Sequence, residues 1–265
     1  MNKTKELLKI IGSLILVLII TFGVNILLGT ILPDPSVLAT SILGVLLAQT
    51  LFAICAYFII KKKKSRYGSS YIKNIGFKSD SWKMLIIGLG TAGFANLLFN
   101  SLVSILGEDN ALVNNSIQTV NTAVSATGTF QIIVQILVLV IVAPIVEEYL
   151  FRGYVFRELK RLYPLVGAVI LNGLLFGLYH MNLLQTVNTF FLGIILSLVY
   201  YYRENITDAI LVHVANNTIA IFSAFFPQYA AIVGPILIVC IILGLFILYK
   251  IAKNSNRVFD NDTIK

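Results

Sequence analysis

Residues 135–152 read QILVLVIVAPIVEEYLFR, and the reading of this stretch decides the fold. Every residue from Ile136 to Val146 is apolar. There is no polar-apolar alternation of the kind a half-buried strand shows, and the run is extended upstream by Phe130, Ile132, Ile133 and Val134. An apolar segment approaching 20 residues is the length that carries a helix across a bilayer. This one passes straight into two carboxylates, Glu147 and Glu148, and then into Arg152. Ionisable groups at membrane depth cost about 2.5–3.5 kcal/mol each on insertion scales, so they need a partner or a function.

The same texture continues outward in both directions. Eight apolar runs are legible: Leu7–Leu32, Val37–Ile60, Trp82–Leu106, Phe130–Val146, Tyr163–Tyr179, Leu183–Tyr202, Ala209–Phe226 and Tyr229–Ile251. The chain of 265 residues is 58% hydrophobic and only 12% charged, with a mean hydropathy of +0.89. Ordinary soluble domains hold roughly 45–50% and 25%. A chain this apolar cannot clothe a water-soluble globule. That excludes a soluble enzyme, a disordered protein and, despite a net charge of +8, a nucleic-acid binder of the usual kind. Cys55 and Cys240 both lie inside apolar runs, so they do not form a disulfide framework. The first run is too long for a cleavable signal peptide and no small-residue cleavage site follows it. The expected fold is all-α: one membrane-embedded domain, residues 1–265, of about eight transmembrane helices.

The basic residues supply an orientation. With eight crossings, all 20 Lys and Arg fall on one side: in the N-terminal segment, between the second and third runs, after the fourth and sixth, and in the C-terminal tail. The alternate loops, including the polar connector Glu108–Gly128, hold none. By the positive-inside bias both termini are cytoplasmic. Trp82 and Tyr200 to Tyr202 stand at run ends, where amphipathic rings prefer the interface. The Lys61–Lys64 cluster is expected to fix topology and to meet anionic lipid. Gly88, Gly90 and Gly93, and the Gly173–Gly177 pair, suit close helix packing.

Polar residues inside the runs concentrate in the second half of the chain. In Glu147-Glu148-Tyr149-Leu150-Phe151-Arg152, Glu148 and Arg152 are four apart and share a helix face, so they can pair. Glu147 points about 100° away and is left to face a cavity or another partner. A carboxylate in such surroundings suits a general base. Phe176 stands one turn before His180, placed to hold its ring by packing. His213 and Asn217, again four apart, can aim two donors at one oxygen. His180 and His213 are the only histidines in the chain. A base for water plus donors for an oxyanion is what peptide-bond hydrolysis needs. Other membrane-protease designs do not fit: the chain has no His-Glu-x-x-His, no serine beside a histidine, and no second intramembrane aspartate for a dyad.

Glu147-Glu148-x-x-x-Arg152, Phe176-x-x-x-His180 and His213-x-x-x-Asn217 resemble the three motifs of the CAAX protease and bacteriocin-processing (Abi) family, complete and in order. The resemblance covers residues 131–226, the motif-bearing core helices. It implies an eight-helix fold and a glutamate-dependent intramembrane endopeptidase acting on a membrane-associated peptide or protein substrate, multi-pass in the cell membrane. In the family pattern Glu147 and His180 activate water, His213 and Asn217 form the oxyanion hole, and Glu148, Arg152 and Phe176 support them. No cofactor is implied; the alternative is zinc held by Glu147, His180 and His213. No nucleic-acid partner is implied either. The alternative function in the same fold is a non-proteolytic bacteriocin self-immunity protein or membrane scaffold. The Lys-, Asn- and Ile-rich style of the chain points to a bacterial cytoplasmic membrane. With Tyr163 at the cytoplasmic face, His180 lies about 25 Å deep along a straight helix, whereas Glu147 and His213, counted from Arg157 and Arg203, lie about 15 Å deep. The site closes only if the fifth run is tilted, kinked or begins outside the bilayer.

Overall fold

The computed structural model describes residues 2–31, 42–67, 74–107, 109–123 and 129–255. Among these, all regular structure is helical. The helices are α1 (Lys3–Ile31), α2 (Ile42–Tyr67), α3 (Lys83–Leu106), the short α4 (Ala111–Ala123), a long broken helix α5, α6 (Leu165–Tyr179), α7 (Leu183–Arg203), α8 (Ile206–Phe225) and α9 (Ala230–Asn254). α5 runs without a turn through Thr129–Leu137, a π-helical stretch Val138–Val142, Ala143–Leu150, a second π-helical stretch Phe151–Phe156, and Arg157–Leu162. The protein is a polytopic all-α membrane protein.

Six helical segments among the described residues are long and apolar enough to cross a bilayer: Lys3–Val24, Lys83–Leu106, Ile132–Leu162, Leu183–Arg203, Ile206–Phe225 and Pro227–Asn254. The second expected run is covered by α2 from Ile42, while its start at Val37 lies outside the described residues. The fifth departs from expectation. α6 has only 15 residues, about 22 Å, against a hydrocarbon core of about 30 Å. Local chemistry sets both ends: Pro164 precedes it, and His180 caps it before Met181, which adopts φ 52°. The polar connector also differs from a plain loop, since most of it is the helix α4; Glu108 and residues 124–128 lie outside the described residues.

The fourth apolar run, expected to end near Val146, continues as helix to Leu162, and α6 starts three residues later. Glu147 lies 15 positions before Leu162 and His180 lies 15 after Leu165. Both are therefore about 22 Å from the same turn. Arg157 Nη1 donates to Tyr200 Oη at 3.1 Å and Lys160 Nζ lies 5.9 Å from the Tyr201 ring centroid, which sets the Arg157–Leu162 segment beside the last turn of α7. Measured from the Leu162–Leu165 turn rather than from separate cytoplasmic ends, Glu147 and His180 are at matching distances.

α5 is the centre of the bundle and packs against α1, α2, α6, α7 and α8, while α3 and α9 close the far side against α7 and α8. One buried core draws on Ile10, Phe52, Ile87, Leu150, Phe176, Leu196 and Val212. The outer surface is apolar, as a lipid-facing surface must be: Ile19, Ile26, Phe58 and Ile242 are each more than 60% exposed. Close approach between α6 and α7 depends on glycine. A Cβ on Gly177 would stand 2.6 Å from the Thr186 carbonyl oxygen, and one on Gly193 would stand 2.8 Å from the Gly173 Cα. This contact brings the Gly193 carbonyl within reach of α5.

Candidate active site

The site is built on the short α-helical piece of α5 between the two π-helical stretches. π turns carry one extra residue and recur at functional positions because they re-aim the side chains that follow. The first has a visible cause. Ala143 N–H donates to Val138 O in the i→i+5 manner. The next such donor would be residue 144, which is proline and has no N–H. That leaves the Leu139 carbonyl without its helical partner, and Asn217 Nδ2 of α8 donates to it at 3.0 Å. A proline in one helix therefore creates the acceptor that docks the other.

One turn further along, Arg152 Nη1 donates to Glu148 Oε1 at 2.8 Å, both side chains being fully buried. Arg152 Nη2 reaches across to the Gly193 carbonyl of α7 at 3.1 Å, and its guanidinium lies 4.7 Å from the centroid of the Phe176 ring of α6. His213 Nδ1 of α8 meets the same Glu148 Oε1 at 2.8 Å. A carboxylate oxygen only accepts, so His213 Nδ1 is the donor. Glu148 and Arg152 therefore join four helices. Two buried atoms of this group make no hydrogen bond among the described residues, Glu148 Oε2 and Arg152 Nε.

Glu147 is placed differently. Its side chain is 12% exposed, where that of Glu148 is 0%. Its Oε2 lies 3.8 Å from His213 Nε2, an ion-pair distance too long for a hydrogen bond. Its charge also acts on half-buried His180. His180 Nδ1 pairs with the Phe176 carbonyl at 2.9 Å. A carbonyl only accepts, so Nδ1 carries the proton and the other ring nitrogen is left to accept in the neutral ring. Phe176, fully buried, holds both histidines edge-on, His180 at 5.0 Å and His213 at 5.7 Å between centroids.

Direct contacts on α5, α6 and α8 link six of the seven residues singled out by spacing, Glu147, Glu148, Arg152, Phe176, His180 and His213, whereas Asn217 is docked on the Leu139 carbonyl. Three contributors were not visible in the sequence: the Gly193 and Leu139 carbonyls, and Tyr179, which packs on Phe52, Phe151 and His180. Pro144 was the one available signal for the second of these. Among the described residues no group of three or more His, Cys, Asp or Glu is arranged to hold a metal ion.

Comparison with known proteins points the same way. Residues 129–219 match the family model described as type II CAAX prenyl endopeptidase Rce1-like. A curated relative, the membrane-embedded CAAX protease MroQ of Staphylococcus aureus (strain USA300), is 30% identical over 95 residues, 33% of this chain and 38% of that protein. The match thus spans well under half of the relative's length. No solved structure matches the chain significantly. The matched segment contains both π-helical stretches, all of α6 and α7, and α8 as far as Ile219. Over that segment, residues 129–219, the chain is similar to the CAAX protease family of membrane proteins.

Proposed function

We propose that the protein is an intramembrane endopeptidase in which Glu147 is the general base. The observation that carries this reading is the division of labour between the adjacent glutamates. Glu148 is held by Arg152 and His213, while the Glu147 side chain keeps 12% exposure and stands 3.8 Å from His213 Nε2. Glu147 takes a proton from water, and the oxygen adds to the carbonyl carbon of the scissile peptide bond. His180, with its second ring nitrogen open, assists the proton transfer. The proton passes to the departing amine as the C–N bond breaks, so hydroxyl ends on the acyl carbon and hydrogen on the nitrogen. His213 Nε2, when protonated, and the second amide N–H of Asn217 serve as donors to the oxyanion; the first Asn217 N–H is held by Leu139.

The substrate class is a peptide or membrane protein reached within the bilayer, and the setting is the bacterial cytoplasmic membrane with both termini inside. A cysteine placed at Ser65 is then shielded from an impermeant reagent in sealed cells, and one at Asn115 is labelled; the reverse pattern overturns this orientation. No metal is assigned, since a zinc site would leave the second amide N–H of Asn217 with no oxyanion to donate to. Activity that survives a strong chelator agrees with this assignment. Activity lost to the chelator and restored by stoichiometric zinc overturns it.

The test of the function compares peptides released from native membranes carrying the wild type or Glu147→Gln. Removing a general base lowers turnover about 10²–10⁴-fold, so specific peptides should vanish from the variant at equal expression. An unchanged peptide profile together with an unchanged cellular phenotype overturns the protease in favour of a scaffold.

A further inference from the structure

On the side of the bundle away from Glu147, the helices α3, α7 and α9 enclose two cavities. The first, about 390 Å³, lies at the basic end and is lined by Asp80, Lys83, Tyr202, Arg203, Phe246 and Lys250 among others. It falls within the roughly 300–1,000 Å³ of small-molecule pockets. The second, about 230 Å³, is almost wholly apolar and is lined by Ile87, Gly90, Ile194, Ile241 and Gly244 among others. Ile87 is one helical turn beyond Lys83, and Leu248 of the second cavity is one position from Ile247 of the first. A polar chamber and an apolar slot thus lie about one helical turn apart along the same three helices.

Charge decides what the polar chamber suits. Arg203 is spent: its Nε donates to Asp208 at 2.7 Å and its two terminal nitrogens donate to Asp80 at 2.9 and 2.6 Å. The lysines are not. Lys83 stands 3.8 Å from an Asp80 already held by Arg203. The Lys250 ammonium lies 5.4 Å from the Phe246 centroid and makes no ion pair among the described residues. Two ammonium groups at the mouth of an apolar slot, at the basic end of membrane helices, match an anionic headgroup with its acyl chain. We propose that this groove is a binding site for an anionic phospholipid, with the phosphate between Lys83 and Lys250 and an acyl chain in the slot lined by Ile87, Ile194 and Ile241.

The chain carries its own reporter. Trp82, the only tryptophan, precedes Lys83 at the start of α3 and is 59% exposed. The full chain is reconstituted in phosphatidylcholine vesicles holding a small fraction of phosphatidylglycerol, or of phosphatidylcholine, brominated near the carbonyl end of its acyl chains, and Trp82 fluorescence is read. Brominated phosphatidylglycerol should quench at lower mole fraction. The preference should fall about fivefold for each lysine removed in Lys83→Gln/Lys250→Gln. Lys3→Gln/Lys5→Gln, which removes the same charge from α1, should leave it unchanged, and excess inorganic phosphate should not relieve it. Equal quenching by both lipids, an equal loss in the α1 variant, or relief by phosphate overturns the site.

Discussion

Two arginine clusters sit at different levels of the same bundle, and they are finished to different degrees. At the basic end, Arg203 has every nitrogen bonded to a carboxylate, and Asp208 also accepts from Ser81 at 2.5 Å. The surrounding backbone is equally tied: Gly76 N–H donates to Thr207 Oγ1, Asn205 Nδ2 donates to the Gly76 carbonyl, and Lys78 Nζ donates to the Arg203 carbonyl. Asn205 caps α8, its side chain accepting from Thr207 N–H. This cluster clips the segment before α3 onto the α7–α8 turn and leaves nothing over. In the membrane interior, Arg152 has one carboxylate oxygen and one backbone carbonyl, with a nitrogen of its own and an oxygen of Glu148 unbonded. Completed networks rigidify, whereas incomplete ones in low dielectric persist where the protein uses them. Under the proposed function, the first cluster is structural and the second supports the reacting groups beside it.

The largest effects that would break this contrast concern the second cluster. Glu147→Gln should abolish cleavage with little change in thermal stability, whereas Asp208→Asn should do the opposite; a purified Asp208→Asn protein with full thermal stability but no cleavage would reverse the assignment. Next comes Glu148→Gln. It leaves the buried Arg152 charge without its carboxylate, a loss of about 3–5 kcal/mol in comparable buried pairs. Unfolding followed in mixed micelles should show a lowered midpoint, and cleavage should fall because His213 loses its Nδ1 acceptor charge.

Asn217→Ala sharpens the contrast at a finer level, because the side chain has two tasks. Loss of an oxyanion donor costs about 10²–10³ in turnover, and the orphaned Leu139 carbonyl costs about 1–3 kcal/mol of stability. Turnover should fall with KM nearly unchanged, together with a modest drop in melting temperature. A stability loss with normal turnover would make Asn217 purely a docking residue.

The smallest effect belongs to the first cluster. Asp80 is partly exposed, so Asp80→Asn should cost only about 0.2–1 kcal/mol. Hydrogen bonds from the Arg203 guanidinium hold the Asp80 carboxyl below the usual carboxylate range against the opposing effect of burial, with the Arg203 and Lys83 charges adding to them. A carboxyl depressed in the folded state contributes stability above its unfolded value, near 3.8, and loses it as pH falls through the lower folded value. The difference in melting temperature between wild type and Asp80→Asn should therefore be constant from neutral pH down to about pH 5 and vanish at strongly acidic pH. A difference that changes instead between pH 6 and 8 would point to another group.

The sequence by itself determined everything that depends on composition and local period. Apolar run length gave a helical membrane protein, and the i,i+4 spacing of Glu148 and Arg152 gave their pairing, because neighbours on one helix face meet wherever the helix lies. The three motifs marked the helices that carry the site. Only the tertiary structure decided which helices meet and at what height. Spacing offered His213 and Asn217 as two donors for one oxygen. The fold adds a second partner to each, giving Nδ1 of His213 to Glu148 and one N–H of Asn217 to Leu139. The depth of His180 rested on where α5 ends, and the Gly193 carbonyl reached Arg152 only because glycines bring α6 against α7. These contacts join residues 41 to 78 positions apart, and they depend on how each helix is rotated and how far it slides past its neighbours. A π turn shifts that rotation without any change in residue spacing, so no periodicity along the chain records it.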